Sequence, residues 1–93
     1  MYKCLKITFS GFIPEGFLHN FVQKEAKKLN LEGVVQTLSG ENRIKIIVCG
    51  GKDAVDDFVD VLHQGTARIS PESIQIEPFL KDRDYRGVFR VIE

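Results

Sequence analysis

The chain has 93 residues, the size of one small domain spanning 1–93. Its 13 Lys and Arg balance 13 Asp and Glu, so the formal net charge is zero and the overall cationic excess that grips phosphate polymers is missing. With 43% hydrophobic residues the composition is globular, no apolar run approaches the ~20 residues of a membrane helix, and Met1-Tyr2-Lys3-Cys4 is not an export signal; a cytoplasmic protein with no membrane and no nucleic-acid partner is expected.

Residues 3–10 alternate, with Leu5, Ile7 and Phe9 on one side and Lys6, Thr8 and Ser10 on the other. Period two predicts a half-buried strand. Gly11 to Gly16 breaks the pattern with two Gly and a Pro and reads as a loop. Phe17, Leu18, Phe21, Val22, Ala26 and Leu29 then recur at three- and four-residue spacing, the apolar stripe of a regular α-helix of about three turns. Asn30 and Gly33 mark its exit, as a left-handed cap would. Val34 to Leu38 and Arg43 to Val48 are two strands joined by the turn residues Ser39-Gly40-Glu41-Asn42, hence a hairpin ended by Gly50-Gly51.

A second helical stripe follows in Val55, Phe58, Val59 and Leu62. Asp53, Asp56 and Asp57 crowd its first turns, where the helix dipole favours anions, and Gly65 closes it. Ile74, Ile76 and Phe79 alternate between Pro71 and the charged loop Lys81 to Arg86, and Val88 to Ile92 is a last strand. This order is an α+β, ferredoxin-like plan: βαββαβ plus an extra C-terminal strand, an antiparallel sheet with two helices on one face.

Cys4 and Cys49 form no CxxC pair, so a zinc knuckle or thioredoxin-type motif is excluded. Two buried reduced thiols are expected from cysteine's burial habit. The plan offers an alternative: its first and third strands are antiparallel neighbours, which would set Cys4 beside Cys49 on the uncovered face as a disulfide.

The plan hosts unrelated functions, so the residues must decide. An RNA-recognition module needs exposed aromatics on the first and third strands, and Arg43-Ile44-Lys45-Ile46-Ile47-Val48 carries none. A soft-metal chaperone needs a thiolate pair in the first loop, and Gly11 to Gly16 has no cysteine. Amino-acid-sensing regulatory modules remain open.

Gly11 opening the loop, Phe17 and Leu18 at its exit, and the run Lys27-Lys28-Leu29-Asn30-Leu31-Glu32-Gly33-Val34-Val35-Gln36 resemble the acylphosphatase family. So do Leu62, Gly65, Ala67 and Ile69 after the second helix, and Val88, Phe89 and Val91 in the last strand. The resemblance implies a hydrolase that cleaves acyl phosphates to carboxylate and phosphate without metal or cofactor. It implies a phosphate loop of backbone N–H groups at Gly11, Phe12, Ile13, Pro14, Glu15, Gly16 and Phe17, an Arg at the helix start and a water-holding Asn on the second strand.

Counted from Gly11 without gaps, the Arg position holds His19 and the Asn position holds Thr37. An imidazole lacks the permanent charge and two-pronged geometry of a guanidinium. A hydroxyl offers one donor where an amide offers two. Pro14 has no N–H for the cradle and Glu15 places a negative charge in it. Loss of one charge-stabilising donor in such sites typically costs about a hundredfold in rate. The expectation is therefore an acylphosphatase-like domain without acylphosphatase activity, a small binding or interaction module for an unidentified small anion or protein. The alternative is a functional, diverged acylphosphatase. His63 reads as a dipole-compensating residue at the end of the second helix, and Arg83 or Arg86 would supply the missing charge only if their loop folded over the site.

Overall fold

The structure is a computed structural model and describes residues 2–11, 13, 16–38, 43–65, 73–80 and 85–92. Five strands, β1 (Tyr2–Ser10), β2 (Glu32–Leu38), β3 (Arg43–Gly51), β4 (Ser73–Pro78) and β5 (Phe89–Ile92), form one sheet in the order β4-β1-β3-β2-β5. Helix α1 lies between β1 and β2, and helix α2 (Lys52–Gly65) between β3 and β4.

Four of the five strands pair as the ferredoxin-like plan requires, β1 antiparallel to both β3 and β4, and β2 antiparallel to β3. The added strand departs from the expected all-antiparallel sheet: β5 runs parallel to β2, with Gly33 opposite Phe89 and Gln36 opposite Ile92. The sheet is mixed because β4 and β5 occupy opposite edges, so the chain between them crosses the width of the sheet before β5 begins.

The alternation read from the sequence selects the faces. Ile7 and Phe9 of β1, Ile44, Ile46 and Val48 of β3, Val35 of β2 and Phe89 of β5 point toward the helices. There they meet Leu18, Val22, Ala26, Val55, Phe58 and Leu62, all buried. Each such large apolar side chain removed from water contributes roughly 1.5–3 kcal/mol before chain entropy is counted.

Helix α1 is not the regular α-helix that the spacing predicts. It opens as a π-helix over Leu18–Gln23 and continues as an α-helix over Lys24–Lys28. Leu18, Val22 and Ala26, each four residues from the next, are all buried. On an ideal α-helix a strict four-residue repeat drifts by about 40° per step. A wider first part cancels that drift and keeps the three side chains over the sheet. The helix exit is a Schellman motif: Leu31 N donates to Ala26 O at 2.9 Å, Asn30 N to Lys27 O at 3.0 Å, and Asn30 has φ +58°.

Gly33, expected at that exit, belongs to β2. Its φ is +143°, and a Cβ there would run into the Ile47 carbonyl of β3. Gly50 and Gly51 are the last two residues of β3 and end the hairpin as expected. The hairpin turn Ser39 to Asn42 lies outside the described residues.

On the sheet's second face the β1–β3 register sets Cys4 directly opposite Cys49, with Cα atoms 4.1 Å apart, and the two are joined by a disulfide. The expectation of two reduced thiols is corrected. Alternation puts both side chains on the same face, and the register leaves them no stagger. Ile47 joins them in a small second cluster, packed by Val34, Phe79 and Tyr85. No described helix is long and apolar enough to cross a membrane.

Candidate functional site

One end of the sheet gathers the sequence-predicted site. Ser10 ends β1, Arg43 starts β3 and Leu38 ends β2, and the three lie in one cross-strand row. Gly11, immediately after β1, begins the loop, and Thr37 stands one residue before Leu38, opposite Ile44. Ile44 is fully buried beneath the helices, so Thr37 is on the helix-bearing face. Its own position at the strand end leaves it exposed.

The loop is pinned at both ends by glycine conformations. Gly11 has φ +144° and Gly16 φ +79°, values that L side chains rarely adopt. Between them Ile13 packs against the main core. Phe12, Pro14 and Glu15, the other expected members of the phosphate loop, lie outside the described residues.

At the loop exit Phe17 is buried, stacked on Phe9 at 5.9 Å and on Phe21 at 5.2 Å between ring centroids. Leu18 is buried beside it. These anchors turn the next two residues outward, so His19 and Asn20 are both exposed on the first turn of α1. The π-helical part of α1 packs against β2 and β5. Gln23 fixes this part of the helix near the other end of β2, its Nε2 donating at 3.0 Å to Phe89 O, which lies opposite Gly33.

Asn20 is the residue that the sequence reading passed over. Its backbone N donates to Gly16 O at 2.7 Å, and a Cβ at Gly16 would lie 2.7 Å from Asn20 Nδ2. The amide therefore hangs directly over the end of the loop. The signal was present in Gly16 and Asn20 four residues apart, but it becomes meaningful only once the turn is known to be helical.

Arg86 stands away from this end. Arg86 lies just before Val88, whose carbonyl accepts from Gly33 N at 3.0 Å, at the opposite end of β2 from Thr37. Four strand residues separate those levels, roughly 13 Å, so Arg86 is not brought over the site; Arg83 lies outside the described residues. His63 lies in the last turn of α2, as expected, with Nδ1 3.0 Å from Val59 O.

This end thus sets the Asn20 amide at the mouth of a glycine-hinged loop, with His19 exposed one residue before it and Thr37 at the same end of the sheet. Such groups can hold an oxyanion and a water by hydrogen bonds, with less fixed charge than an Arg would give.

The sequence pattern of the acylphosphatase family matches residues 5–91. The chain belongs to the acylphosphatase family. It is 30% identical to the acylphosphatase of Methanococcoides burtonii over 74 residues, 80% of this chain and 76% of the relative. The solved acylphosphatase of Coxiella burnetii superimposes with a TM-score of 0.81 at 28% identity, over 97% of this chain and 92% of that one. That of Bacillus subtilis gives 0.82 over the full length of both chains at 22% identity, a likeness of fold.

Proposed function

We propose that this chain hydrolyses acyl phosphates at the mouth of the Gly11–Gly16 loop, with a weaker donor set and a lower rate than an Arg/Asn site would have. The observation that carries this reading is Asn20 at the end of the glycine-hinged loop, its backbone N on Gly16 O and its amide beside Gly16, while Thr37 stands on the helix-bearing face at the end of the sheet from which that loop leaves. Relatives that share nearly the whole chain and its fold are named acylphosphatases, which supports the same reading.

The chemistry asks little of the protein. Water attacks phosphorus, the phosphorus–oxygen bond to the acyl group breaks, and the products are a carboxylate, inorganic phosphate and one proton. The carboxylate leaves as a stable anion, so no strong general acid is required. What remains is placement and charge stabilisation. In this reading loop N–H groups, the Asn20 amide and the His19 ring hold the phosphoryl oxygens, and the Thr37 hydroxyl orients the water.

A second reading is favoured by one observation, that His19 and Thr37 both replace the residues which the family resemblance puts there. In that reading the loop binds an anion and turns nothing over.

Benzoyl phosphate hydrolysis at neutral pH without metal separates the two. The parent is expected to exceed both His19→Ala and Thr37→Ala, and the double variant His19→Arg/Thr37→Asn to exceed the parent by about a hundredfold or more. A parent at the buffer rate beside an active double variant establishes the non-catalytic reading. Inactivity of both, in folded protein, removes acyl phosphate as the substrate class.

A further inference from the structure

The net charge of zero is not spread evenly over the sheet's free face, although the helix layer itself carries both signs, with Lys24, Lys27, Lys28 and Lys52 exposed. On the outer side of α2, Asp53, Asp57 and Asp60 follow one another at helical spacing and are exposed. The opposite side of the molecule is the sheet face that carries no helix. Registers place on it, in one row, Glu77, Lys6, Ile47, Val34 and Arg90, and in the next Gln75, Thr8, Lys45, Gln36 and Ile92, with Arg43 and Leu38 beyond.

Four cations, Lys6, Arg43, Lys45 and Arg90, therefore share this face with two carboxylates among the described residues, Glu77, which reaches Lys6 only at 4.0 Å, and Glu32, opposite Cys49 in the row beyond Val34. Phe79 and Tyr85 cover the Cys4–Cys49 end of this face, around Ile47 and Val34. Away from that end Arg43, Gln75, Arg90 and Ile92 are exposed.

We propose that this face docks an acidic polypeptide segment of another protein. The cations are too widely spread for one small anion. Strand spacing puts Lys6 about 8 Å from Lys45 and Arg90 roughly 12 Å from it. Between them Thr8, Gln36 and Gln75 offer hydrogen-bonding side chains, and Leu38 and Ile92 offer apolar contact. That alternation suits a peptide bearing several carboxylates and one or two apolar residues. For single-stranded nucleic acid the described aromatics of this face, Tyr2, Phe79 and Tyr85, gather at the Cys4–Cys49 end and form no stacking row along the cations. A membrane surface finds no apolar band, because Ile92 and Leu38 are confined to one corner. The surface is separate from the loop site, since Thr37 and its neighbour row face the helices.

Heteronuclear NMR titration of the full chain tests this, with a short peptide alternating Glu and Leu as the probe and its Gln/Leu counterpart as control. The Glu peptide is expected to shift the amides of Lys6, Thr8, Gln36, Lys45 and Arg90 and to leave Gly16, His19 and Thr37 in place. Binding should weaken at high salt and fall at least about tenfold in Lys45→Glu/Arg90→Glu. The milder Lys45→Gln/Arg90→Gln variant guards against misfolding, and both should keep the parent's benzoyl phosphate rate. Shifts confined to the loop end, equal binding of the Gln peptide, or undiminished binding by the variants overturns the proposal. So does tighter binding of oligouridylate or of phosphatidylserine vesicles on the same residues, or concentration-dependent shifts without peptide, which would make the occupant a second copy.

Discussion

Asp56 sits between two ammonium groups, with Lys3 Nζ at 2.7 Å from one carboxylate oxygen and Lys52 Nζ at 3.0 Å from the other. Hydrogen bonds from Lys3 and then Lys52 hold its carboxyl below the ordinary carboxylate range, and the bond to Asp56 raises Lys52. A depressed carboxyl stabilises the fold above its unfolded pKa, and that contribution is lost as pH falls through the lower, folded value. Thermal midpoints measured from neutral pH down through the acid range should therefore drop more steeply for the parent than for Asp56→Asn. Identical acid limbs would show that this exposed pair of ion pairs contributes nothing to stability. The sequence shows Asp56 as one of several acids in a helix start, but not its cross-element partner, because Lys3 lies on another element, a strand that packs against α2. The same limit hid Asn20. His19 and Thr37 were picked out by counting along the family resemblance from Gly11, whereas an amide lying over Gly16 depends on how the helix winds.

At the scale of elements, strands were legible wherever burial alternates, because period two leaves a direct mark on residue type, as in β1 and β3. The π-helical opening of α1 left no such mark. Leu18, Val22 and Ala26 at a four-residue repeat satisfy an α-helical template as well, and the wider turn shows only in how the backbone winds. Gly33 was read as a helix exit because the capping residue Asn30 is close by in sequence. Its reason is instead the approach of β3, where a Cβ would collide with the Ile47 carbonyl, a backbone atom that cannot move aside cheaply. Gly33→Ala combines that overlap with a strained φ of +143°. A loss of about 3 kcal/mol or more is expected, read as the shift in a urea unfolding midpoint at unchanged slope. A loss below about 1 kcal/mol would mean that β2 and β3 can separate at this point without consequence.

For the whole molecule, the parallel β5 and the disulfide express one constraint. The chain leaving β4 must cross the sheet to reach the far edge, and on its way Phe79 N donates to Cys4 O at 3.2 Å. Phe79 and Tyr85 thereby seal the Cys4–Cys49 bridge, with Cys49 fully buried and Cys4 only 8% exposed. The bridge closes a chain segment with a sequence separation of 45. In the chain-entropy account such a closure stabilises by about 4 kcal/mol at most, and measured bridges commonly give about 2–4 kcal/mol. For a domain of this size Cys4→Ala/Cys49→Ala should lower the melting midpoint by roughly 10–25 °C. Exchange requires a thiolate to reach a sulfur, so a mild thiol should reduce the folded parent slowly and the partly unfolded parent quickly. Calorimetry of the parent before and after full reduction checks both statements. The reduced parent is expected to melt with the double variant; if it melts with the oxidised parent, tying β1 to β3 adds nothing that the pairing of those strands does not already supply.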